Sequence, residues 1–420
     1  MTLDLAKHPC FNKDVKGQFG RIHLPVAPKC NIQCNFCNRK YDCVNESRPG
    51  VSSQVLSPQQ ALGYLKEMVS HDPRLTVMGI AGPGDPFANP DETMETLRLV
   101  RRQFPDMLLC VATNGLGAAP YIEELAELEV SHLTVTVNAI NPEIGQKVYA
   151  WVRDGKKVLR GVKAAELLLE RQLEVIRLAK AHGITVKINS ILIPGINDDH
   201  IIEIAKYMAE LGADLFNCIG MCRAPGAAFD CLKEPDREFV EKIRKEANQY
   251  LPQMTHCMRC RADAVGCLSD ALPMKAIELM HRYANGPLNP ADKRPYIAVA
   301  TQEGVLVNKH LGEASQLAIY SYDEAKGVRT VETRQTPSPG DGEVRWKKLA
   351  DLLSDCRALL VANAGPSPTG VLEANGVKVV CTESLIEQAI EDIYKGKAVM
   401  PPSRPRVCGA SCGGNAQGCA

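Results

Sequence analysis

Residues 22–37 read IHLPVAPKCNIQCNFC, an apolar segment of strand length followed at once by three cysteines. Cys30, Cys34 and Cys37 have the spacing C-x3-C-x2-C on one short loop. Three such thiolates hold three irons of a [4Fe–4S] cube and leave the fourth iron open to another ligand. A structural zinc site instead uses four closed ligands, usually in two C-x2-C pairs. The stretch therefore predicts a strand with an iron–sulfur site at its carboxyl end.

Around this stretch, apolar segments alternate with amphipathic helical ones from about residue 21 to residue 249. The six predicted strands are Ile22–Val26, Leu75–Ala81, Met107–Ala112, His132–Asn138, Ile184–Ser190 and Ala213–Ile219. Such alternation predicts a parallel sheet with right-handed crossovers. Six units are fewer than the eight of a closed barrel, which favours a partial (β/α)6 TIM-like barrel over a doubly wound sheet. Ser57-Pro58 and Asn89-Pro90 predict helix starts with a cap followed by an early proline.

A second α/β unit follows a segment rich in Asn, Gly and Pro. We predict a core domain at residues 1–284, a linker at 285–293 and a small second domain at 294–400. The tail at 401–420 is rich in Gly and Cys, with Cys408, Cys412 and Cys419 spaced C-x3-C-x6-C. Two alternatives stay open for this tail. It either binds or shuttles a cluster, or it is solvated and without regular structure.

The charge balance excludes some classes of partner. Of the 420 residues, 49 are Lys or Arg and 49 are Asp or Glu, so no global electrostatic argument favours nucleic acid or an acidic membrane surface. The 17 cysteines are about 4% of the chain, below the ~8–10% of a disulfide scaffold. No apolar stretch is long enough to span a membrane, and the amino terminus carries charges where a signal peptide is apolar. These features predict a cytoplasmic protein with neither nucleic acid nor membrane as partner.

Six motifs in order make the sequence similar to one known family. They are HPC at 8–10, CNIQCNFC at 30–37, ESRP at 46–49, AGPGDP at 81–86, TNG at 113–115 and C-x2-C-R-x-D-A-x-G at 257–266. The triplet and the Gly-rich turn resemble the radical S-adenosylmethionine (SAM) enzymes. The full set resembles the NifB family, radical SAM enzymes of nitrogenase FeMo-cofactor maturation, and the second domain resembles the NifX-type, RNase H-like fold.

That resemblance implies an enzyme that fuses two [4Fe–4S] clusters, K1 and K2, into an [8Fe–9S–C] core with a SAM-derived carbide and a ninth sulfur. It implies three [4Fe–4S] clusters in all, one catalytic and two substrate. The implied ligands are Cys30, Cys34 and Cys37 for the SAM cluster; His23, Cys43 and Cys110 for K1; and Cys10, Cys257 and Cys260 for K2. His23 has two alternatives: His8 is a rival nitrogen ligand, and an imidazole on a strand is often an ordinary half-buried side chain.

Further residues receive roles from the same resemblance. The implied SAM-contacting residues are Gly82, Pro83, Gly84, Asp85, Thr113, Asn114, Asn138 and Asn189. Glu46 and Arg48 either pair, relay protons near the methyl carbon or orient SAM, and the simpler alternative is a surface salt bridge that fixes their loop. Arg261 and Asp263 are likewise either a functional pair of this kind or a salt bridge that fixes their segment. In the second domain, His310 is either a cofactor ligand or a capping or surface histidine.

Two competing functions remain at this point. A radical SAM enzyme with auxiliary clusters, of the methylthiotransferase or molybdopterin type, explains the triplet but neither the ESRP segment nor the second domain. A non-catalytic iron–sulfur scaffold explains the cysteines but needs no SAM site. The resemblance implies cluster donors of the NifU/NifS type and product acceptors of the NifX and NifEN type.

Overall fold

The computed structural model describes residues 3–268, 270–285, 294–340 and 342–402. The chain divides into two units, Met1–Pro273 and Met274–Ala420. The predicted tail cysteines and all of the linker after residue 285 lie outside the described residues. No helix in the described part of the chain is long and apolar enough to cross a membrane.

The first unit alternates strands and helices over most of its length. In chain order its elements are β1 (Gly20–His23), β2 (Ile32–Cys34), α1 (Pro58–His71), β3 (Leu75–Ile80), α2 (Pro90–Gln103), β4 (Leu108–Thr113), α3 (Ile122–Glu127), β5 (Val130–Thr136), α4 (Pro142–Val148), β6 (Tyr149–Asp154), β7 (Lys157–Leu159), α5 (Gly161–Ala181), β8 (Thr185–Leu192), α6 (Ile201–Glu210), β9 (Leu215–Gly220), α7 (Arg237–Ala247) and β10 (Val265–Gly266).

The main sheet has the order β10-β1-β3-β4-β5-β8-β9. Its six longer strands run parallel, and β10 pairs antiparallel with β1 through Arg21 opposite Gly266. The sheet curls into an open half-barrel, so the predicted partial barrel of six βα units is confirmed. Because the strands are covered on both faces, they are almost continuously buried. Polar side chains inside these strands therefore need partners or a cavity.

The predicted helix starts are confirmed, but only one of the predicted caps is present. Ser57 forms a full capping box with Gln60 at the start of α1, and Pro58 occupies the first turn. Asn89 precedes α2 but makes no side-chain cap. Its amide is engaged instead with Lys29 and with the carbonyl oxygen of Asp85. The cap prediction for Asn89 is wrong because these tertiary contacts to the cysteine loop use the side chain.

A small antiparallel sheet, β2-β6-β7, was not expected from the sequence. It pairs Ile32 in the cysteine loop with Val152, so the triplet is anchored to a β-hairpin rather than carried on a free loop. The hairpin turns at Gly155-Lys156, between the paired residues Asp154 and Lys157, and Gly155 has φ +57°. Asp-Gly between two apolar segments is a strong hairpin signal. That signal was available in the sequence.

The second unit is a five-stranded sheet with helices. Its elements are α8 (Met274–Asn285), β11 (Tyr296–Val299), β12 (Gln316–Asp323), β13 (Gly327–Gln335), α9 (Glu343–Leu352), β14 (Cys356–Val361), α10 (Pro366–Ala374), β15 (Lys378–Cys381) and α11 (Ile386–Tyr394). The sheet order is β13-β12-β11-β14-β15. Helix α8 packs against α11, and its last residues contact Lys378 and Lys397. The division therefore falls before α8, earlier in the chain than residue 284.

Candidate active site

The carboxyl ends of the parallel strands form two adjoining cavities. The first, here called the triplet cavity, has a volume of about 420 Å³ and is lined by Cys30, Cys34, Cys37 and Cys43 together with the Gly-rich turn. No three or more His, Cys, Asp or Glu side chains among the described residues form a single-ion site. The four thiols instead surround a space.

The thiols of the triplet cavity are close enough to influence one another. Burial raises the pKa of Cys34 well above its ordinary value, and the neighbouring Cys37, Cys43 and Cys30 raise it further. Burial, then the carboxylate of Asp85, raises the pKa of Cys30 to about 11. Such thiols become thiolates only when positive charge such as bound iron compensates them. Three thiols from one loop on one cavity therefore fit a [4Fe–4S] cluster with one open iron.

The Gly-rich turn is packed directly against the cysteine loop. A Cβ added at Gly84 would lie 2.0 Å from the carbonyl oxygen of Lys29, so only glycine permits this approach. The backbone N–H of Gly84 donates to the carbonyl oxygen of Ala27, and that of Cys43 donates to the carbonyl oxygen of Pro83. The turn therefore fixes the position of the cysteine loop.

Asp85 organises the turn through its buried carboxylate. It accepts hydrogen bonds from the backbone N–H groups of Phe87 and Asn114 at 2.9 and 2.6 Å. It also accepts one from the hydroxyl of Thr113 at 3.0 Å. Asp85 is the side chain expected to contact SAM. These hydrogen bonds occupy its carboxylate and link the carboxyl ends of β3 and β4.

The three asparagines expected at strand ends have different environments. Asn114 lines the triplet cavity and donates to Asn31 at 2.7 Å. Asn189 lines the second cavity and donates to Glu46 at 2.7 Å. Asn138 is fully buried and accepts from the backbone N–H of Ile191, which links the ends of β5 and β8. Asn138 does not line either cavity.

The second cavity, here called the large cavity, has a volume of about 690 Å³. Its sulfur and nitrogen donors come from four parts of the chain, and they are His8, Cys10, His23, Cys110, Cys257 and Cys260. His8 and Cys260, which are about 250 positions apart in the sequence, therefore meet at one site. Five of the six predicted K1 and K2 ligands line this cavity, and the sixth, Cys43, lines the triplet cavity.

His23 has the arrangement of a metal-ligating histidine. Its Nδ1 lies 2.9 Å from the carbonyl oxygen of Arg261. Because a carbonyl only accepts, Nδ1 carries the proton and Nε2 keeps its lone pair. Burial, then the charge of Arg21, lowers the pKa of His23 to about 4, so the ring is neutral. A Cβ at Gly79 would lie 2.9 Å from Cδ2 of His23, so this glycine makes room for the imidazole.

His8, the rival ligand, is also buried and neutral. Burial, then His132 and Lys187, lowers its pKa well below the ordinary value. Its Nδ1 accepts from the backbone N–H of Cys10, and its Nε2 has no hydrogen-bond partner among the described residues. The ring packs edge-on against Phe11. Because the neutral ring accepts through Nδ1, Nε2 carries its proton, so His8 offers the large cavity an N–H group, whereas His23 offers a lone pair.

The segment that carries Cys257 and Cys260 is tied to the barrel by arginines. Arg21, on β1, donates to the carbonyl oxygens of Gly266 and Cys267 and lies 3.1 Å from the sulfur of Cys260. Arg48 donates from Nε to the carbonyl oxygen of Arg259. These contacts hold the post-barrel segment over the strand ends.

Glu46 and Arg48 do not pair with each other. Arg48 is exposed and holds the post-barrel segment, whereas Glu46 lines both cavities. Burial raises the pKa of Glu46 to about 7, although Lys187 and the hydrogen bond from Asn189 lower it in part. A carboxyl group that titrates near neutral pH is suited to proton transfer. Arg261 and Asp263 do form a bidentate ion pair, at 2.5 and 2.8 Å.

Lys187 was not singled out by the sequence. It stands in β8 and lines the large cavity. Burial lowers its pKa, but Cys10, Glu46 and Cys110 outweigh that effect, so the pKa lies above its ordinary value. A lysine inside an otherwise buried parallel strand is the one signal that marks it.

In the second unit, His310 acts as a cap. Its Nδ1 accepts from the backbone N–H of Gly312, and its backbone bridges to Asn363. This is one of the two interpretations that the sequence left open.

Comparison with known proteins covers both units. The radical SAM superfamily model matches residues 24–208, and the model described as dinitrogenase iron-molybdenum cofactor matches residues 293–396. The FeMo cofactor biosynthesis protein NifB of Chlorobaculum tepidum is 55% identical to this chain over 426 residues and covers 100% of both chains. That of Klebsiella pneumoniae is 39% identical and covers 89% of this chain and 86% of its own length. Among solved structures, SuiB of Streptococcus suis bound to S-adenosylmethionine is 15% identical to this chain, with a TM-score of 0.41. The match covers 55% of this chain and 48% of the SuiB chain.

Proposed function

The chain belongs to the NifB family of FeMo cofactor biosynthesis proteins, and on that premise we propose that it fuses two [4Fe–4S] substrate clusters, K1 and K2. The product is an [8Fe–9S–C] core with a SAM-derived carbide and an added ninth sulfur. The observation that carries the proposal is the large cavity, where five of the six proposed substrate ligands, from distant parts of the chain, meet beside the triplet cavity.

The triplet cavity is proposed as the SAM site. Cys30, Cys34 and Cys37 would hold the family's [4Fe–4S] cluster, and the Gly-rich turn and Asn114 would contact SAM. When bound, the cluster and SAM supply a 5′-deoxyadenosyl radical that abstracts hydrogen. The chain's own contribution is a fixed frame, because Gly84 and Asp85 lock the turn against the cysteine loop.

The large cavity is proposed as the substrate site. His23, Cys43 and Cys110 are the proposed K1 ligands, and Cys10, Cys257 and Cys260 the proposed K2 ligands. His23 offers a neutral nitrogen, which is more easily exchanged than a thiolate and suits a cluster that must rearrange. The position of Cys43 in the triplet cavity supports a K1 site that adjoins the SAM site.

Glu46 is proposed as the proton acceptor. It lies on the wall shared by both cavities, and its pKa near 7 lets it take up and release a proton at neutral pH. Conversion of a methyl group to a carbide releases protons, so an acceptor is needed at this boundary. Asn189 orients the carboxyl group through its 2.7 Å hydrogen bond.

The second unit is proposed to bind the anionic product before transfer to acceptors of the NifX and NifEN type, with donors of the NifU/NifS type supplying K1 and K2. Its match to the dinitrogenase iron-molybdenum cofactor model supports this role.

Product analysis tests the reaction. Anaerobically reconstituted protein with SAM and a reductant is expected to release S-adenosylhomocysteine and 5′-deoxyadenosine in about equal amounts, one from methyl transfer and one from radical cleavage. A Cys10→Ala/Cys257→Ala variant should lose S-adenosylhomocysteine while its triplet remains intact. Release of 5′-deoxyadenosine alone by the wild type would favour another radical SAM reaction. Release of neither would favour the non-catalytic scaffold.

A further inference from the structure

Lys187 is a buried cation that forms no ion pair with the described residues. Only 7% of the residue is exposed. Among the described residues, the side chain of Lys187 has no hydrogen-bond partner and no ion pair within 4 Å. Its described aromatic contact is Phe11, with Nζ 5.4 Å from the ring centroid. An ammonium group in such a place carries a large desolvation cost unless something compensates it. Glu46 and the cavity thiols act on this charge from a distance, but no described side chain compensates it through a hydrogen bond or an ion pair within 4 Å.

The surroundings of Lys187 indicate what would compensate it. Lys187 faces the large cavity, where the strongly acidic or basic lining residues are Lys187, Arg21 and Arg259 against the single carboxyl group of Glu46. The thiols that act on the charge of Lys187 are those of Cys10, Cys110 and Cys257, all of them proposed substrate ligands. Once deprotonated around iron and sulfide, they belong to an anionic assembly.

Arg21 is not equivalent to Lys187. Its guanidinium already donates to two backbone carbonyls and contacts the sulfur of Cys260, so its hydrogen-bonding capacity serves the post-barrel segment. Arg259 similarly donates to the carbonyl oxygen of Gly220. Of the three cations, Lys187 is the one whose charged group makes no hydrogen bond to a described residue.

We infer that Lys187 is a substrate-binding residue, a fixed cation that holds the anionic iron–sulfur substrate in the large cavity through its sulfides and ligating thiolates. This inference rests on the proposed function, because it takes K1 and K2 as the occupants. The ammonium group acts by charge, so arginine should replace it and a neutral side chain of similar length should not.

The test compares Lys187→Met and Lys187→Arg in the full chain, with Lys163→Met as a matched control on the exposed face of α5. Each protein is reconstituted anaerobically with iron and sulfide. Iron per chain is counted, and the clusters are titrated by electron paramagnetic resonance as a function of potential. Wild type is expected to hold about 12 irons, three cubes. Lys187→Met should lose at least about 4 of them, one cube, and retain the triplet cluster. Lys187→Arg and Lys163→Met should match the wild type.

Two further readouts separate charge from structural support. Clusters that remain in the large cavity of Lys187→Met should have more negative potentials, because a nearby cation stabilises the reduced, more negative state. The cluster-free Lys187→Met protein should melt close to the wild type, because the described side chains make no hydrogen bond or ion pair to the ammonium group that the substitution would break.

The outcomes distinguish the inference from the proposed function. Wild type with about 12 irons and Lys187→Met with the same iron content and potentials would overturn the inference and leave the function standing. Loss of iron in both Lys187→Met and Lys187→Arg would overturn the role of charge. Wild type with only about 4 irons would remove the proposed function, and the inference with it.

Discussion

Glu46 makes the stability of the cluster-free protein depend on pH in a specific direction. Its pKa is raised from 4.5 to about 7, chiefly by burial. A carboxyl group whose folded-state pKa is raised contributes stability that is fully present below its unfolded pKa, and that stability is lost as the pH rises through the folded pKa. The loss therefore falls between about pH 4.5 and pH 7.

The size of the effect follows from the shift. At about 1.4 kcal/mol per pKa unit the full shift corresponds to about 3.5 kcal/mol. Glu46 is half-buried and keeps its bond from Asn189, so we expect about 2 kcal/mol after allowance for solvent screening. Glu46→Gln removes the ionisable group. The variant should be more stable than the wild type by about 2 kcal/mol at pH 8 and nearly equal to it at pH 5.

Urea unfolding measures this difference. Trp151 lies in the first unit and Trp346 in the second, so a Trp346→Phe background lets Trp151 fluorescence report the first unit alone. Glu166→Gln, at an exposed position on α5, is the matched control. It should leave the free energy of unfolding unchanged at both pH 5 and pH 8. Equal effects of Glu46→Gln at pH 5 and pH 8, or a less stable variant at pH 8, would refute the assignment of a buried carboxyl with a pKa near 7.

Three other substitutions test the site and its frame. Gly79→Ala should displace His23 and lower iron binding by up to about one cube, because the new Cβ would lie 2.9 Å from the His23 ring. Gly370→Ala, at a position with open space around it, is the control. An unchanged iron content in Gly79→Ala would contradict the role of His23. Asp85→Asn should lower the free energy of unfolding by about 1–3 kcal/mol and sharply slow the release of 5′-deoxyadenosine. The reason is that an amide cannot accept all the hydrogen bonds that the carboxylate accepts. Unaltered release would contradict the role of Asp85 in holding the Gly-rich turn. Ser57→Ala should cost about 1 kcal/mol in urea unfolding through loss of the capping box and leave iron content unchanged.

The sequence was sufficient to predict the barrel, and the residues that it singled out as candidate ligands do line the two cavities. Parallel strands with helical crossovers bring their carboxyl ends to one edge, so the triplet at residues 30–37 and the turn at 81–86 had to meet. The sequence could not show that Asp85 holds the turn together, nor that Asn89 contacts Lys29 rather than caps its helix. These roles depend on which backbone groups approach each side chain in the folded chain.

Other features were missed for different reasons. β13 lies at an exposed sheet edge, so it carries no apolar pattern to mark it. The hairpin of β6 and β7 did have a signal, Asp154-Gly155, that was not used. Lys187 looks like an isolated charge in an apolar strand, and its importance depends on a cavity that no local pattern reveals.

Iron counting on anaerobically reconstituted protein, with electron paramagnetic resonance before and after SAM, tests the central claim most directly. We predict about 12 irons per chain, which fall toward about 4 in a Cys10→Ala/Cys43→Ala/Cys257→Ala variant whose remaining signal still responds to SAM. A wild type that holds only about 4 irons would contradict cluster fusion and leave a radical SAM enzyme with a single cluster.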